Sequence, residues 1–417
     1  MKTKIKYLPY EKVKQIKTPK HKKPCKPWGV LKLLIRIITF FELKKVNFKY
    51  SLKGINKLPK QPCLILMNHS CFLDPKIVAK IFKNKSYNIV CTMDALIGKG
   101  WLMRKIGCIP TKKFVHDITL IKDMNYALTK LKSSVLMYPE AGYSFDGTST
   151  KIPKGIGRLV KTLNVPVLFV KTFGAFLHDP LYNCLQQRKV DVSAEVSLLI
   201  SNEDLNSLTV EEMSNRINQA FTFDEFEWQL KNKIEIDEPF RADGLHKILY
   251  KCPNCLKENT LVGKGIHLTC NSCNIKYELT TLGQLKAING KTEYPHIPNW
   301  YNWERCEVKK EIESGNYLIE TKIDIAVLKD YKAFFMIGEG KLIHNENGFV
   351  LESSDGSLKY TQSPITSYSV NADYYFYEIG DVICIGDKSS LYYCFIKDKV
   401  SVTKIRMAVE ELYKLKK

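Results

Sequence analysis

Between residues 62 and 235, short apolar runs alternate with segments of helical period. This rhythm limits the fold more than any other feature of the chain. "CLILM" (63–67), "YNIVCTM" (87–93), "SVLMY" (134–138) and "VPVLFVKT" (165–172) have the length and apolarity of buried strands. "DPKIVAKIF" (74–82), "DALIGKGWLMRKI" (94–106) and "LIKDMNYALTKLKS" (120–133) lie between them and read as helices. Such alternation predicts an α/β domain, with expected bounds 51–240.

Two of these strands run directly into polar chemistry. After "CLILM" comes Asn68-His69-Ser70-Cys71-Phe72-Leu73-Asp74-Pro75. Five residues around a helix is about 500°, so His69 and Asp74 would sit about 140° apart and share no face. They meet only if His69 stands in the loop and Asp74 begins the helix. Pro75 suits the first helical position, which makes Asp74 an expected N-cap. A carboxylate on one imidazole nitrogen fixes the tautomer, and a base so held contributes about 10²–10⁴ in rate. The other reading of this stretch is a polar turn that happens to hold a histidine. A second burst, Tyr138-Pro139-Glu140-Ala141-Gly142-Tyr143-Ser144, follows "SVLMY", and Lys112 and Lys113 follow the short run "GCIP". Ligands gather at the carboxyl ends of strands in α/β sheets, so these stretches point to one shared pocket.

Together the blocks resemble the glycerolipid (lysophosphatidate-type) acyltransferase family. Its Asn-His-x4-Asp block is matched by Asn68, His69 and Asp74, and its Gly-x-Ile-Pro-x-x-Arg block is similar to Gly107 through Lys113. Its Phe-Pro-Glu-Gly-Thr-Arg-Ser block is similar to Tyr138 through Ser144, followed by Lys154-Gly155 and Val165-Pro166-Val167. The resemblance covers about residues 50–230. It implies that His69 deprotonates a hydroxyl of a lysophospholipid, with 1-acylglycerol-3-phosphate first among acceptors and phosphatidate as product. That hydroxyl attacks the thioester of acyl-CoA or acyl-carrier protein. Asp74 orients His69, and backbone donors near the site hold the oxyanion. Lys112, Lys113, Glu140, Gly142, Ser144 and Lys154 are the implied substrate-binding residues. No acyl-enzyme is implied, so Cys71 has no chemical part.

The chain departs from the family in its arginines: Lys113 and Tyr143 stand where the second and third blocks have Arg, and Gly142 stands where Thr is usual. The acceptor is therefore open, with a less anionic alcohol as one alternative. Lys112, Lys113, Lys154 and Arg158 remain to meet a phosphate, unless the first two are a solvated surface pair.

Charge is uneven. Residues 1–60 hold 18 Lys and Arg against Glu11 and Glu42, a net of +16 out of +21 for the chain. Residues 1–27 read as an extended or disordered basic tail that meets an anionic partner. Residues 28–50 follow with "VLKLLIRIITFF" (30–41), about 18 Å as a helix, too short for a hydrocarbon core of about 30 Å. Lys32, Arg36 and Thr39 form one narrow polar stripe on it, which suggests a helix lying in an anionic membrane interface. A core helix of the next domain is the alternative. The absence of a secretory signal and the scattered cysteines among the 13 suggest a reduced, cytoplasmic protein held peripherally at a membrane.

Cys252-x2-Cys255-x14-Cys270-x2-Cys273 has the spacing of a structural zinc ribbon, placed at 245–285, with four thiolates for one Zn²⁺. Residues 300–417 read as an antiparallel β domain closed by an amphipathic helix, similar in layout to a pleckstrin-homology-like barrel. The rival to the enzyme is a non-catalytic lipid- or nucleic-acid-binding protein on a degenerate acyltransferase domain, for which the ribbon and the basic tail speak.

Overall fold

The structure is a computed structural model and describes residues 4–115 and 117–417. Its nineteen strands in chain order are β1 (Ile5–Tyr7), β2 (Lys49–Lys53), β3 (Leu64–Met67), β4 (Tyr87–Thr92), β5 (Cys108–Thr111), β6 (Ser134–Met137), β7 (Val167–Phe173), β8 (Ser193–Ile200), β9 (Leu261–Lys264), β10 (His267–Cys270), β11 (Lys276–Leu279), β12 (Leu285–Asn289), β13 (Leu318–Leu328), β14 (Phe334–Asn345), β15 (Gly348–Ser353), β16 (Lys359–Gln362), β17 (Asn371–Phe376), β18 (Gly380–Gly386) and β19 (Leu391–Ile396). They form three sheets.

The first sheet has the order β2-β8-β7-β3-β6-β4-β5. Strands β7, β3, β6, β4 and β5 are mutually parallel, and β8 runs antiparallel to β7. At the centre, all four residues of β3 are buried. Ile65 and Met67 face a core closed by Ile77, Val78 and Ile81 of the helix Asp74–Ile81. Leu64 and Leu66 face the opposite core, closed by the helices Ile118–Thr129, Ile156–Leu163 and Val210–Phe221. Burial on both faces is why this strand reads as an unbroken apolar run. All four expected strands are present, and β2, β5 and β8 join them. The helix expected over 94–106 is broken: a 3₁₀ turn covers Met93–Leu96 and the helix begins at Gly100. Gly98 between them has φ +71°, which ends the first turn.

The second sheet, β12-β11-β10-β9, is a small antiparallel meander. The third has the order β16-β15-β14-β13-β19-β18-β17 and is closed by the helix Val402–Lys416. Its strands β13 and β14 span 11 and 12 residues, longer than the short strands expected there.

The basic N-terminal segment is not a free tail. β1 pairs parallel to β14, and Tyr10 and Val13 are buried in the core around the third sheet. The chain then crosses to the first domain, where Arg104 Nη2 donates to the carbonyls of Lys22 and Lys23 and His21 lies 3.0 Å from Asp123. Residues 4–28 thus strap the last domain to the first.

The helix Gly29–Lys45 packs on Asp74–Ile81 with its polar stripe inward. Thr39 and Leu43 are buried, Lys32 Nζ donates to the Lys85 carbonyl, and Glu42 pairs with Lys76. Its apolar face points outward: Val30, Leu33, Leu34, Ile37, Ile38, Phe40 and Phe41 are all more than half exposed. No described helix is long and apolar enough to cross a membrane.

Candidate active site

His69 lies two residues beyond Met67, the last residue of β3, where the chain leaves the sheet at its carboxyl edge. Asn68 pins this exit: its Oδ1 accepts from Thr172 N and its Nδ2 donates to Thr172 Oγ1 and Ser70 Oγ. Asp74 opens the following helix, with Pro75 next to it. His69 Nδ1 and Asp74 Oδ2 are 2.8 Å apart, the loop-to-helix contact that the spacing requires.

Asp74 does not cap its own helix. Leu73 holds the cap position without a side-chain bond, and the Asp74 carboxylate turns back to accept from Ser70 N and Cys71 N. Helical backbone at Leu73 makes Asp74 the first residue of the helix, one position too late for a cap. Fully buried, Asp74 thus holds the loop and the imidazole with one oxygen, while its Oδ1 has no partner among the described residues. Burial pulls the His69 pKa below its ordinary value, and the Asp74 bond opposes this without reversing it. A neutral imidazole with Nδ1–H on Asp74 leaves Nε2 free to accept a proton. Burial and the Asp74 carboxylate push the Cys71 thiol up, which leaves it inert as a nucleophile.

Glu140 lies beneath the histidine, 4% exposed. Its Oε2 accepts from His69 N and its Oε1 from Thr150 N and Oγ1, so the carboxylate ties the two active-site loops together. Burial raises it to about 7. Ser144 is turned away, its Oγ donating to the Thr148 carbonyl, and Gly142 has open space where a Cβ would stand. Of the six substrate-binding residues expected from sequence, Lys112, Lys113 and Lys154 line the cavity in front of His69, and Glu140, Gly142 and Ser144 do not.

Two tyrosines flank the imidazole. Tyr138 stacks at 4.1 Å and Tyr143, in the third-block arginine position, tilts over it at 4.1 Å. The stacking was not visible in sequence, although Tyr143 stood out as a departure. The cavity measures about 1090 Å³, at the top of the range of about 300–1,000 Å³ usual for ligand pockets. Ile89, Met103, Ile106, Leu120, Met124 and Leu159 give it an apolar side. The other side comes from the third sheet, through Asp373 to Glu378 and Tyr368. Nothing in the sequence placed the last hundred residues here.

The four cysteines of the ribbon converge elsewhere. Their sulfurs lie within 4.8 Å of one another, with Cys252–Cys273 and Cys255–Cys270 each at 3.7 Å. A tetrahedron with Zn–S bonds of about 2.3 Å has edges of about 3.8 Å, so the set fits one metal ion. Each knuckle ends alike: Leu256 N donates to the Cys252 carbonyl and Asn274 N to the Cys270 carbonyl, both residues at positive φ. His267 is outside the cluster.

No curated protein compared with the chain matches it. Among solved structures, one that is similar is the 1-acyl-sn-glycerophosphate (LPA) acyltransferase PlsC from Thermotoga maritima. It is 14% identical, with a TM-score of 0.36, over 46% of this chain and 76% of that one. Residues 49–170 match the Acyltransferase family model, a span that holds β2 to β6, the His69–Asp74 pair, Glu140 and Tyr143. The part of the chain that carries the His69–Asp74 pair is thus the part similar to the acyltransferase family.

Proposed function

We propose that the protein transfers a fatty acyl group from a thioester donor, acyl-CoA or acyl-carrier protein, to a hydroxyl of a lysoglycerolipid at a membrane surface. The observation that carries this reading is the His69 Nδ1–Asp74 contact of 2.8 Å, with the imidazole opening on a large, mostly apolar cavity. His69 Nε2 takes the proton of the acceptor hydroxyl as its oxygen attacks the thioester carbonyl. The tetrahedral intermediate collapses, the C–S bond breaks, and the thiolate takes the proton from His69. Asp74 stabilises the imidazolium between these steps without being protonated. Lys112, Lys113 and Lys154 are the cations at hand for phosphate groups of donor or acceptor. The motif resemblance makes 1-acylglycerol-3-phosphate the reference acceptor.

The outward apolar face of the helix Gly29–Lys45 supports peripheral attachment to the cytoplasmic face of a membrane. Trp28 and Trp101 touch edge to face at its start, and Lys105 lies over the Trp28 ring. Aromatic and basic side chains beside an apolar stripe suit the headgroup boundary of an anionic bilayer. The four thiolates of Cys252, Cys255, Cys270 and Cys273 would hold one Zn²⁺ as a closed structural site, which leaves the ion no part in acyl transfer. The third sheet, a four-strand and a three-strand meander closed by a helix, supports the reading of residues 300–417 as a pleckstrin-homology-like domain.

The test is acyl transfer by purified protein to a panel of lysolipids, with products read by mass spectrometry. His69→Ala should lower the rate by at least about 10². Undiminished transfer by that variant would remove His69 as the base. Salt-sensitive nucleic-acid binding without transfer to any acceptor would favour the non-catalytic reading.

A further inference from the structure

The third sheet reaches into the active site and engages the residue that stands in the second-block arginine position. Lys113 Nζ donates to Asn371 Oδ1 at 3.1 Å, and Asn371 is itself buried at the start of β17. Two residues on, Asp373 lines the cavity at 8% exposure. Its Oδ1 accepts from Tyr374 N, and its Oδ2 meets no donor among the described residues. Asp179, 7% exposed, also lines the cavity and meets no donor among them. Both carboxyls line the same cavity as His69 and Tyr143, the ring over the imidazole.

The other lysines that line the cavity have further contacts or lie toward solvent. Lys112 Nζ donates to the Lys388 carbonyl. Lys151 and Lys417 lie over the Tyr413 ring, at 5.8 and 5.0 Å, and Lys154 is exposed at the rim. A phosphate dianion in the cavity would meet two buried carboxyls, while the Lys113 ammonium turns one of its three donors to Asn371 and its charge acts on Asp373. The β17–β18 turn that carries this wall is unusual in itself. Tyr375 near the end of β17 and Tyr377 and Glu378 in the turn have φ of +52°, +49° and +62°, a conformation that side chains with a Cβ rarely adopt. Tyr377 Oη anchors the turn on Asp94 of the first domain at 3.0 Å.

We propose that the C-terminal β domain forms the acceptor-binding wall of the active-site cavity, and that this wall selects an acceptor whose hydroxyl lies beside an uncharged or cationic group instead of a phosphate monoester. The proposal rests on the acyl-transfer reading above. An uncharged alcohol can bond to Asp373 and Asp179 whether each is ionised or protonated. An ammonium group keeps both ionised and pairs with them. Burial, which raises the Asp373 carboxyl to about 7 and also raises Asp179, marks both as desolvated groups that gain from such a partner.

The full chain is given acyl-CoA with equal amounts of a monoacylglycerol, an ethanolamine lysophospholipid and 1-acylglycerol-3-phosphate. One or both of the first two should exceed the phosphate monoester in kcat/KM by about tenfold or more, the discrimination that one lost charge pairing supplies. The Asp373→Asn variant should narrow that ratio, because a carboxylate that repels phosphate is gone. Asn371→Ala, which frees Lys113, should narrow it too and serves if the first variant does not fold. Preference for 1-acylglycerol-3-phosphate overturns the proposal, and so does a ratio that neither variant moves. Transfer to none of the three, with either type of thioester donor, overturns acyl transfer itself and this proposal with it.

Discussion

The imidazole of His69 is held from both sides of its chemistry. Asp74 fixes Nδ1, Glu140 fixes the backbone nitrogen, and two tyrosine rings confine the plane. With Asn in place of Asp74 the contact geometry survives, but the imidazolium loses its counter-charge and the ring can settle in the wrong tautomer. Asp74→Asn should therefore lower kcat by about 10²–10⁴ with KM little changed, as steady-state kinetics would show. The pH dependence has a definite sign. The base acts when neutral, and its pKa lies below 6.5, so kcat/KM should rise with pH through an inflection below 6.5 and level off above it. The spacing of Asn68, His69, Asp74 and Pro75 was enough to anticipate the His69–Asp74 contact. It misassigned the cap, because Pro tolerates either of the first positions of a helix and only the Leu73 backbone distinguishes them.

At the scale of one element, the helix Gly29–Lys45 inverts the usual rule. Its few polar side chains seat on the protein, and its apolar ones face out. Thr39 and Phe41 lie two positions apart, yet Thr39 is 2% exposed and Phe41 is 61% exposed. Thr39→Lys should bury an unpaired charge against Asp74–Ile81 and lower the Tm by several degrees. Phe41→Glu should leave the Tm within about a degree and weaken sedimentation with anionic phosphatidylserine vesicles at least about tenfold. Equal vesicle binding by the two proteins would exclude this face as the membrane contact. The polar stripe was plain in the sequence, but periodicity reports a stripe and not which way it points.

Across the whole molecule, the three domains share packing. A continuous core joins the ribbon residues Cys252 and Cys270, the third sheet, and Phe145, Phe176 and Tyr182 of the first domain. Arg406 of the final helix donates to the Tyr143 carbonyl and lies over the Phe145 ring, so the C-terminal domain holds the loop that covers His69. A structural Zn²⁺ contributes on the order of 10 kcal/mol to a small metal-dependent fold. A Zn²⁺ held by Cys252, Cys255, Cys270 and Cys273 would make the fold metal-dependent, so a chelator should lower the Tm and abolish acyl transfer together, although no ribbon thiolate lines the cavity. Calorimetry and activity on the same samples check this; a ribbon that melts alone while transfer persists would show the domains to be uncoupled.

The sequence by itself determined the local grammar: buried strands leading into polar loops, a proline-started helix after His69, two spaced cysteine knuckles, and an amphipathic helix near the start. These depend on residues within a few positions of one another, and periodicity, turn chemistry and ligand spacing express them directly. Tertiary structure alone decided which face of the Gly29–Lys45 helix is buried, that Tyr143 covers the imidazole, and that Asn371 and Asp373 join the site of His69. Lys113 and Asn371 are 258 residues apart, and no local pattern carries a contact across that distance. Such a contact follows from the packing of whole domains on a shared core, so the wall that reads the acceptor comes into being only when the chain has folded.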